Sequence, residues 1–286
     1  MATGNSDNQP KDVSSHEKKE EQVIVCPNCG AIIRDIDFIY CPICNARLKT
    51  EEELAEAQFT WNSALSLVFL TFITYFIAYY AVEYYLMSIG GGAVLITPIT
   101  YAFFLMLQGV FALVPIVYFK LAKLDFVKLI LPVSDKKKII NDILIGVLFS
   151  FIFYFLIEFE YQISVQFFGL SPELIELIRK TTPTNTTEYL IQLIATVLIL
   201  APSNEILVRG ILQRYLSKAH GPIIGIFGAS IFYSLLFLGN IISFITLLTL
   251  QILLGVLFEY RKRSLYSTIP AHMMFWLVSM ILPLLL

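Results

Sequence analysis

The stretch "LILAPSNEILVRGILQRYL", residues 198–216, places a carboxylate and a guanidinium inside a segment that otherwise has the composition of a membrane helix. An ionisable side chain in a membrane helix costs about 2.5–3.5 kcal/mol on insertion scales, so it usually has a partner or a function. Glu205 and Arg209 are four residues apart and therefore share one helix face, where they can neutralise each other. Pro202 removes one backbone hydrogen bond beside them and predicts a kink.

The rest of the chain predicts an all-α polytopic membrane protein. Of its 286 residues, 57% are hydrophobic and only 15% are charged, whereas soluble domains contain roughly 45–50% apolar residues. The chain contains long apolar runs, and about 20 helical residues suffice to cross a bilayer. Membrane lipid is therefore its first partner. The net charge of −2 argues against a nucleic acid as another.

The apolar runs predict about seven transmembrane helices within a membrane domain at 59–286. They cover residues 60–87, 94–119, 139–168, 187–217, 222–239, 241–259 and 266–285. Basic residues are concentrated after the second and sixth helices, as in Lys136 and Arg261. Because cytosolic loops carry an excess of Lys and Arg, we expect a cell-membrane protein with a cytosolic N-terminus and an external C-terminus.

The chain has four cysteines, and they form two C-x-x-C pairs in "CPNCGAIIRDIDFIYCPIC". They are Cys26, Cys29, Cys41 and Cys44. Two such pairs predict one closed, structural Zn²⁺ site with four thiolate ligands, although two disulfides or buried free thiols are alternatives. Free thiolates indicate the reducing cytosol. We assign 23–48 to a small zinc ribbon, 1–22 to a disordered polar tail and 49–58 to a linker.

A second polar position lies in the last predicted helix, in "STIPAHMMFW". His272 follows Pro270 by two residues, and an imidazole beside a proline kink is a candidate acid, base or metal ligand. The residues leave another interpretation open. Glu205 and Arg209 can form a structural clasp between helices, with His272 as a hydrogen-bonded interior residue.

The segments "APSNEILVRGILQRYL" and "FEYRKRSLYSTIPAHMMFW" resemble motifs of the CPBP (Abi) family of intramembrane proteases, which includes the CAAX prenyl proteases of the Ras-converting-enzyme type. The family pattern is Glu-Glu-x-x-x-Arg, then Phe-x-x-x-His, then His-x-x-x-Asn, with a small residue as the alternative to Asn. The resemblance covers roughly 187–285 and implies membrane-anchored or prenylated protein substrates. It makes Glu205, Arg209 and His272 candidate catalytic residues, with Asn240 beside the second-motif position.

The core motifs depart from this pattern. Asn204 stands at the first glutamate, Ile241 stands at the second-motif histidine when Phe237 is taken as its Phe, and Trp276 replaces the final Asn. An amide is not basic enough to activate water, and one imidazole with one carboxylate is fewer than the three protein ligands usual in catalytic zinc sites. We therefore expect the protease fold with an altered centre.

Two functions follow from that expectation. The protein is an endopeptidase on membrane-associated or prenylated substrates, or a catalytically silent protein that binds membrane helices or lipidated tails in the same cavity. A transporter is a third interpretation, which the lack of a visible internal repeat disfavours.

Overall fold

The computed structural model describes residues 24–33, 40–46, 48, 59–92, 96–131, 135–238 and 240–285. The chain divides into two units, Met1–Leu54 and Ala55–Leu286. The predicted tail at 1–22 and the predicted linker at 49–58 lie outside the described residues.

The first unit is built on two similar turns. Strands β1 (Ile24–Val25) and β2 (Ile32–Ile33) form an antiparallel pair. The turn after Cys26 closes when the N–H of Gly30 donates to the Cys26 carbonyl at 2.9 Å, and the N–H of Asn45 donates to the Cys41 carbonyl at the same distance. Gly30 and Asn45 have φ of 73° and 56°, the left-handed conformation that Gly and Asn adopt most readily.

The described part of the second unit consists of helices joined by turns and short connections. Its helices are α1 (Trp61–Ile89), α2 (Pro98–Leu107), α3 (Val110–Leu121), α4 (Phe126–Ile130), α5 (Lys136–Phe168), α6 (Pro172–Thr181), α7 (Thr186–His220), α8 (Pro222–Ser234, continued by a 3₁₀ turn at Leu235–Phe237), α9 (Ile241–Tyr260) and α10 (Leu265–Leu285).

Six helical segments of the described chain are long and apolar enough to cross a membrane, with α2 and α3 counted as one segment, and α8 is a shorter apolar helix. The prediction of an all-α polytopic membrane protein with about seven membrane helices is therefore confirmed. The amphipathic helix α6 is an addition to the predicted set. It lies in the connection between α5 and α7.

Helix α7 is the most buried span, and it is not a regular α-helix. Two π-helical stretches, Ile194–Leu200 and Glu205–Gln213, flank the short α-helical segment Ala201–Asn204 that contains Pro202. In an α-helix, residues four apart are rotated by about 40° relative to each other. The wider π turns reduce this rotation, because each N–H bonds five residues back. Side chains at four-residue spacing therefore stay in line along α7.

Helices α5 and α10 approach closely at a glycine. A Cβ added to Gly146 would lie 2.1 Å from the carbonyl oxygen of Ser267. This contact is with backbone, so the helices would have to separate to make room.

We expect Gly146→Ala to lower the stability of the folded protein by about 1–3 kcal/mol, because a methyl group has no space between the two backbones. Thermal unfolding in detergent would measure the shift. Leu144→Ala is the matched control, since Leu144 is on the same helix and 63% exposed. Equal stability of the two variants would contradict the close approach.

Candidate functional site

A cavity of about 520 Å³ lies within the helical unit, and α2 and α5 to α10 all contribute to its wall. Most of the wall is apolar or aromatic. Polar side chains from distant parts of the chain meet there, among them Gln108, Asn204, Tyr233 and His272.

Asn204, which stands at the first glutamate of the resembling motif, is bound to a tyrosine. Its Nδ2 donates to Tyr233 Oη at 2.5 Å, and the Tyr233 hydroxyl donates to Gln108 Oε1 at 3.0 Å. All three side chains are buried. Asn204 Oδ1 has no hydrogen-bond partner among the described residues, so it can accept a hydrogen bond from a molecule in the cavity.

Glu205 and His272 form a buried pair between α7 and α10. The His272 Nδ1 lies 2.9 Å from Glu205 Oε1, and the two side chains are 1% and 0% exposed. When Nδ1–H donates to the carboxylate, Nε2 keeps its lone pair. Nε2 has no partner within the described part of the chain. His272 lines the cavity, whereas the Glu205 side chain lies behind it.

The second partner of Glu205 is Arg209, as the four-residue spacing predicts. Arg209 Nε lies 3.8 Å from Glu205 Oε2, and both side chains are fully buried. The guanidinium makes shorter bonds elsewhere. Its Nη2 donates to the side-chain Oε1 and backbone oxygen of Gln251, both at 2.5 Å, and its Nη1 donates to Gln213 Oε1 at 3.1 Å.

These bonds belong to a polar clasp between α7 and α9, which we define as Arg209, Gln213 and Ser217 of α7 with their partners on α9. Gln213 Nε2 donates to the Gly255 carbonyl at 2.9 Å, and Ser217 Oγ donates to Glu259 at 2.6 Å. Each bond joins residues 42 positions apart, so the two helices keep one register along the clasp. Arg209 therefore has a clear structural role.

The glutamine partners of Arg209 were not among the sequence-based candidates. A signal for one of them exists in the sequence, since Gln213 and Ser217 continue the four-residue spacing of Glu205 and Arg209. Nothing local indicates Gln251, which comes from another helix.

Asn240 is placed differently from the other candidates. It caps the start of α9, where its Oδ1 accepts a hydrogen bond from the Ser243 N–H at 2.9 Å, and it is not part of the cavity wall. Tyr233 and Phe237 are part of the wall. They have the spacing of the aromatic-x-x-x-His motif, with Tyr233 as its aromatic residue and Phe237 at the histidine position. The sequence-based alignment started this motif four residues later, at Phe237.

The donor set at the cavity does not fit a catalytic metal ion. Among the described residues of the wall, His272 is the one imidazole, and carboxylate side chains are absent. Glu205 is already bonded to His272 and lies near Arg209. A catalytic zinc ion usually takes three protein ligands, and these residues supply one free ring nitrogen.

The four cysteines of the first unit, in contrast, are arranged as ligands of one metal ion. Their sulfur atoms all lie within 4.8 Å of one another, with Cys26–Cys44 at 3.6 Å and Cys29–Cys41 at 3.7 Å. Sulfurs at about 2.3 Å from a tetrahedral zinc ion are about 3.8 Å apart. All four are free cysteines, so the disulfide alternative has no support, and the group fits one metal ion.

Two of these thiols, Cys29 and Cys44, ionise unequally. A hydrogen bond from the Asn28 side chain lowers the pKa of the Cys44 thiol to about 6. The Ala31 backbone lowers the pKa of Cys29, but contacts with neighbouring thiols, first of all Cys44, raise it to about 12. A divalent cation would compensate the negative charge of a Cys44 thiolate.

We expect the purified full-length protein to contain one zinc ion per chain and Cys41→Ser to lose most of it, since a hydroxyl is a much poorer ligand than a thiolate. Metal analysis by mass spectrometry measures this content. Ser63→Ala, outside the first unit, is the control. Retention of a full equivalent of zinc by Cys41→Ser would contradict the four-cysteine site.

Removal of one member of the Glu205–Arg209 pair should be more damaging than removal of both. A single Arg209→Met change leaves a buried carboxylate without its cation, at a cost of about 3–5 kcal/mol, whereas Glu205→Gln with Arg209→Met leaves no net charge. The measurement is the yield of monodisperse protein. Glu176→Gln, which breaks an exposed pair, should have little effect. Equal damage from the single and double changes would show that the pair is not structural.

The comparisons with known proteins agree with this architecture. The model of the family described as Rce1-like, a type II CAAX prenyl endopeptidase family, matches residues 186–278. No curated protein and no solved structure matches the chain. The matched segment begins with α7 and ends within α10, and it contains Glu205, Arg209 and His272. Residues 186–278 of this membrane protein therefore resemble the Rce1-like family of CAAX prenyl endopeptidases.

Proposed function

We propose that this chain has the CAAX-protease-like membrane fold with a catalytically silent centre, and that its cavity binds a lipidated or membrane-embedded segment of a partner protein. One observation carries the proposal. The motif carboxylate, Glu205, lies between His272 and Arg209, and the cavity wall itself offers an amide in place of a second carboxylate.

Peptide hydrolysis requires a group that takes a proton from water. The Asn204 amide has no useful basicity, and its Nδ2 is bonded to Tyr233. Glu205 is fully buried behind the wall. A carboxylate that balances a neighbouring guanidinium is a weak base, because protonation would leave the guanidinium charge uncompensated.

The size and lining of the cavity suit an apolar ligand. Binding sites for small molecules are typically about 300–1,000 Å³, mostly apolar, with a few polar groups that orient the ligand. The cavity of about 520 Å³ falls in this range. Asn204 and His272 are the polar groups that would orient the head of such a chain.

The rest of the proposal concerns the organisation of the chain. Residues 23–48 act as a structural zinc ribbon, after a tail at 1–22 and before a linker at 49–58. Residues 59–286 act as the membrane domain. Charge supports a cytosolic N-terminus, because Lys136, Lys137, Lys138, Arg261, Lys262 and Arg263 lie at one end of the helical unit, where Arg261 contacts Asp142.

One observation favours hydrolysis as a second candidate. Glu205 holds the Nδ1 side of His272, and the free Nε2 has the arrangement of an oriented general base. In that case His272 would take the proton from water, and Glu205 would stabilise the imidazolium. Asn240 has no part in either proposal, because it caps α9 outside the cavity wall.

A farnesylated peptide ending in a CAAX sequence distinguishes the two candidates. We expect the full-length protein in nanodiscs to bind the fluorescent peptide saturably and to leave it intact, as measured by anisotropy and mass spectrometry. Thr196→Trp, which fills the cavity, should weaken binding at least tenfold, since the indole occupies the ligand's space.

Leu198→Trp is the matched control, because Leu198 is on the same helix and 58% exposed. Its affinity should equal that of the unmodified protein. Cleavage of the peptide that disappears in His272→Ala would overturn the silent centre and favour the endopeptidase.

A further inference from the structure

We propose that the end of the helical unit where α5 begins binds the headgroup of an anionic phospholipid. Two parts of the chain form this surface, and neither contributes to the wall of the cavity. One is the first turn of α5, with Lys136, Lys137 and Lys138, and the other is the loop at 261–264 between α9 and α10. We call these residues the basic surface.

A buried aspartate joins the two parts of the basic surface. Asp142 lies six residues after Lys136 in α5 and is 1% exposed. Its Oδ1 accepts hydrogen bonds from Arg261 Nε, at 2.9 Å, and from Arg261 Nη2, and its Oδ2 accepts one from Ser264 Oγ at 2.6 Å. Six helical residues rise about 9 Å, so the loop is held against α5 less than two turns after its lysines.

The loop is also fixed to α9 and α7. Arg263 Nε donates to Glu259 Oε2 at 3.1 Å, and the Arg263 carbonyl accepts a hydrogen bond from Arg214 at 2.9 Å. Lys262 and Arg263 have φ of 54° and 63°, a left-handed conformation that is uncommon for residues other than Gly, Asn and Asp. Such a conformation persists where the surroundings enforce it, and it is frequent at ligand sites. These contacts therefore hold Lys262 in a defined position.

Four exposed lysines of the basic surface have no ion-pair partner in the described part of the chain. They are Lys136, Lys137, Lys138 and Lys262. The arginines of the loop are paired, Arg261 with Asp142 and Arg263 with Glu259. The arginines thus maintain the structure, and the four lysines leave positive charge available to a ligand.

The lysines are unfavourable for α5 itself. The N-terminus of a helix carries a partial positive charge, which acidic residues stabilise and basic residues do not. The first turn of α5 has three lysines and no acidic residue. Asp135 precedes them as the N-cap, and its Oδ1 accepts a hydrogen bond from the Lys137 N–H at 3.3 Å. Since helix stability does not account for three cations at this position, the arrangement favours an anion from outside the chain.

The basic surface lies at the level of the lipid headgroups. Helix α5 has 33 residues, which is about 50 Å and longer than the roughly 30 Å of a hydrocarbon core. Its apolar sequence begins at Ile139, directly after the lysines. Tyr260, at the end of α9, is 67% exposed, and the guanidinium carbon of Arg261 lies 5.9 Å from the centre of its ring. Exposed tyrosines are typical of the membrane interface.

An exposed apolar stripe continues from the lysines along α5. Ile140, Leu144 and Leu148 follow Lys136 at four-residue spacing and are 59%, 63% and 61% exposed. Residues four apart lie on one face of a helix. A cation at the headgroup level and apolar side chains below it match the two parts of a phospholipid, whereas a soluble phosphate would use the cation alone.

The net charge of the headgroup decides which phospholipid binds. Lysine binds phosphate as a compact positive charge with three N–H donors, and each lysine near a membrane surface strengthens the attraction to anionic lipid about fivefold. A zwitterionic phospholipid has the same phosphate but carries its own cation. The basic surface should therefore select anionic over zwitterionic phospholipid.

Lipid titration of the full-length protein in a neutral detergent tests the proposal. Phosphatidylglycerol and phosphatidylcholine with identical acyl chains are added separately, and the rise in melting temperature gives a midpoint concentration for each lipid. We expect the midpoint for phosphatidylglycerol to be at least tenfold lower. Lys137→Gln with Lys262→Gln should raise it about 25-fold, since each lysine contributes about fivefold, and Lys137→Arg with Lys262→Arg should leave it within twofold.

Lys120→Gln with Lys123→Gln is the matched control, because it removes the same charge from two other exposed lysines. It should change the midpoint less than twofold. Equal midpoints for the two lipids, or equal effects of the two glutamine double variants, would overturn the site. A rise in melting temperature with glycerol 3-phosphate at the same concentrations would identify a soluble phosphate as the ligand and overturn the lipid. Lys136→Gln with Lys138→Gln replaces the first double variant if that protein does not fold.

Discussion

The Glu205 carboxylate is the constraint on which the helical unit depends. It is fully buried in a membrane helix, where an uncompensated charge costs several kcal/mol, and it is held between Arg209 and His272. Each partner extends the constraint to another helix. His272 fixes α10 against α7, and Arg209 fixes α9 through Gln251. Balancing one charge thus aligns three helices, and the clasp through Gln213 and Ser217 repeats the same register toward the C-terminal end of α7.

The same constraint divides α7 into two functional halves. From Glu205 onward, side chains at four-residue spacing serve the clasp, and up to Asn204 the corresponding side chains line the cavity. The π-helical stretches keep both rows in line on either side of Pro202. The boundary between the halves is the position at which the resembling motif has two adjacent glutamates. Here the residue on the cavity side is an amide bonded to Tyr233, and the carboxylate is on the clasp side.

Asn204, in place of the first glutamate of the resembling motif, changes the chemistry of this position and is compatible with the fold. An uncharged residue at this position needs no counter-charge, and the Asn204–Tyr233–Gln108 chain satisfies most of the polar atoms brought together there. Phe237, at the histidine position of the shifted second motif, adds apolar surface to the same wall. Both departures support the binding function that we propose. The cysteine group of the first unit is separate from this chemistry, because four protein thiolates would leave a bound metal ion no open position.

Local sequence patterns predicted much of the architecture. Long apolar runs gave the membrane helices to within a few residues, four-residue spacing paired Glu205 with Arg209, and the two C-x-x-C pairs indicated a common metal site. The tertiary structure decided the partners and the cavity. Tyr233 meets Gln108 from 125 residues away, and His272 meets Glu205 from 67. Sequence patterns could not specify these pairs, because lipid tails are as apolar as Leu and a membrane helix can be hydrophobic on every side. Its rotation and register are set by the few polar and glycine contacts that only the assembled bundle brings together.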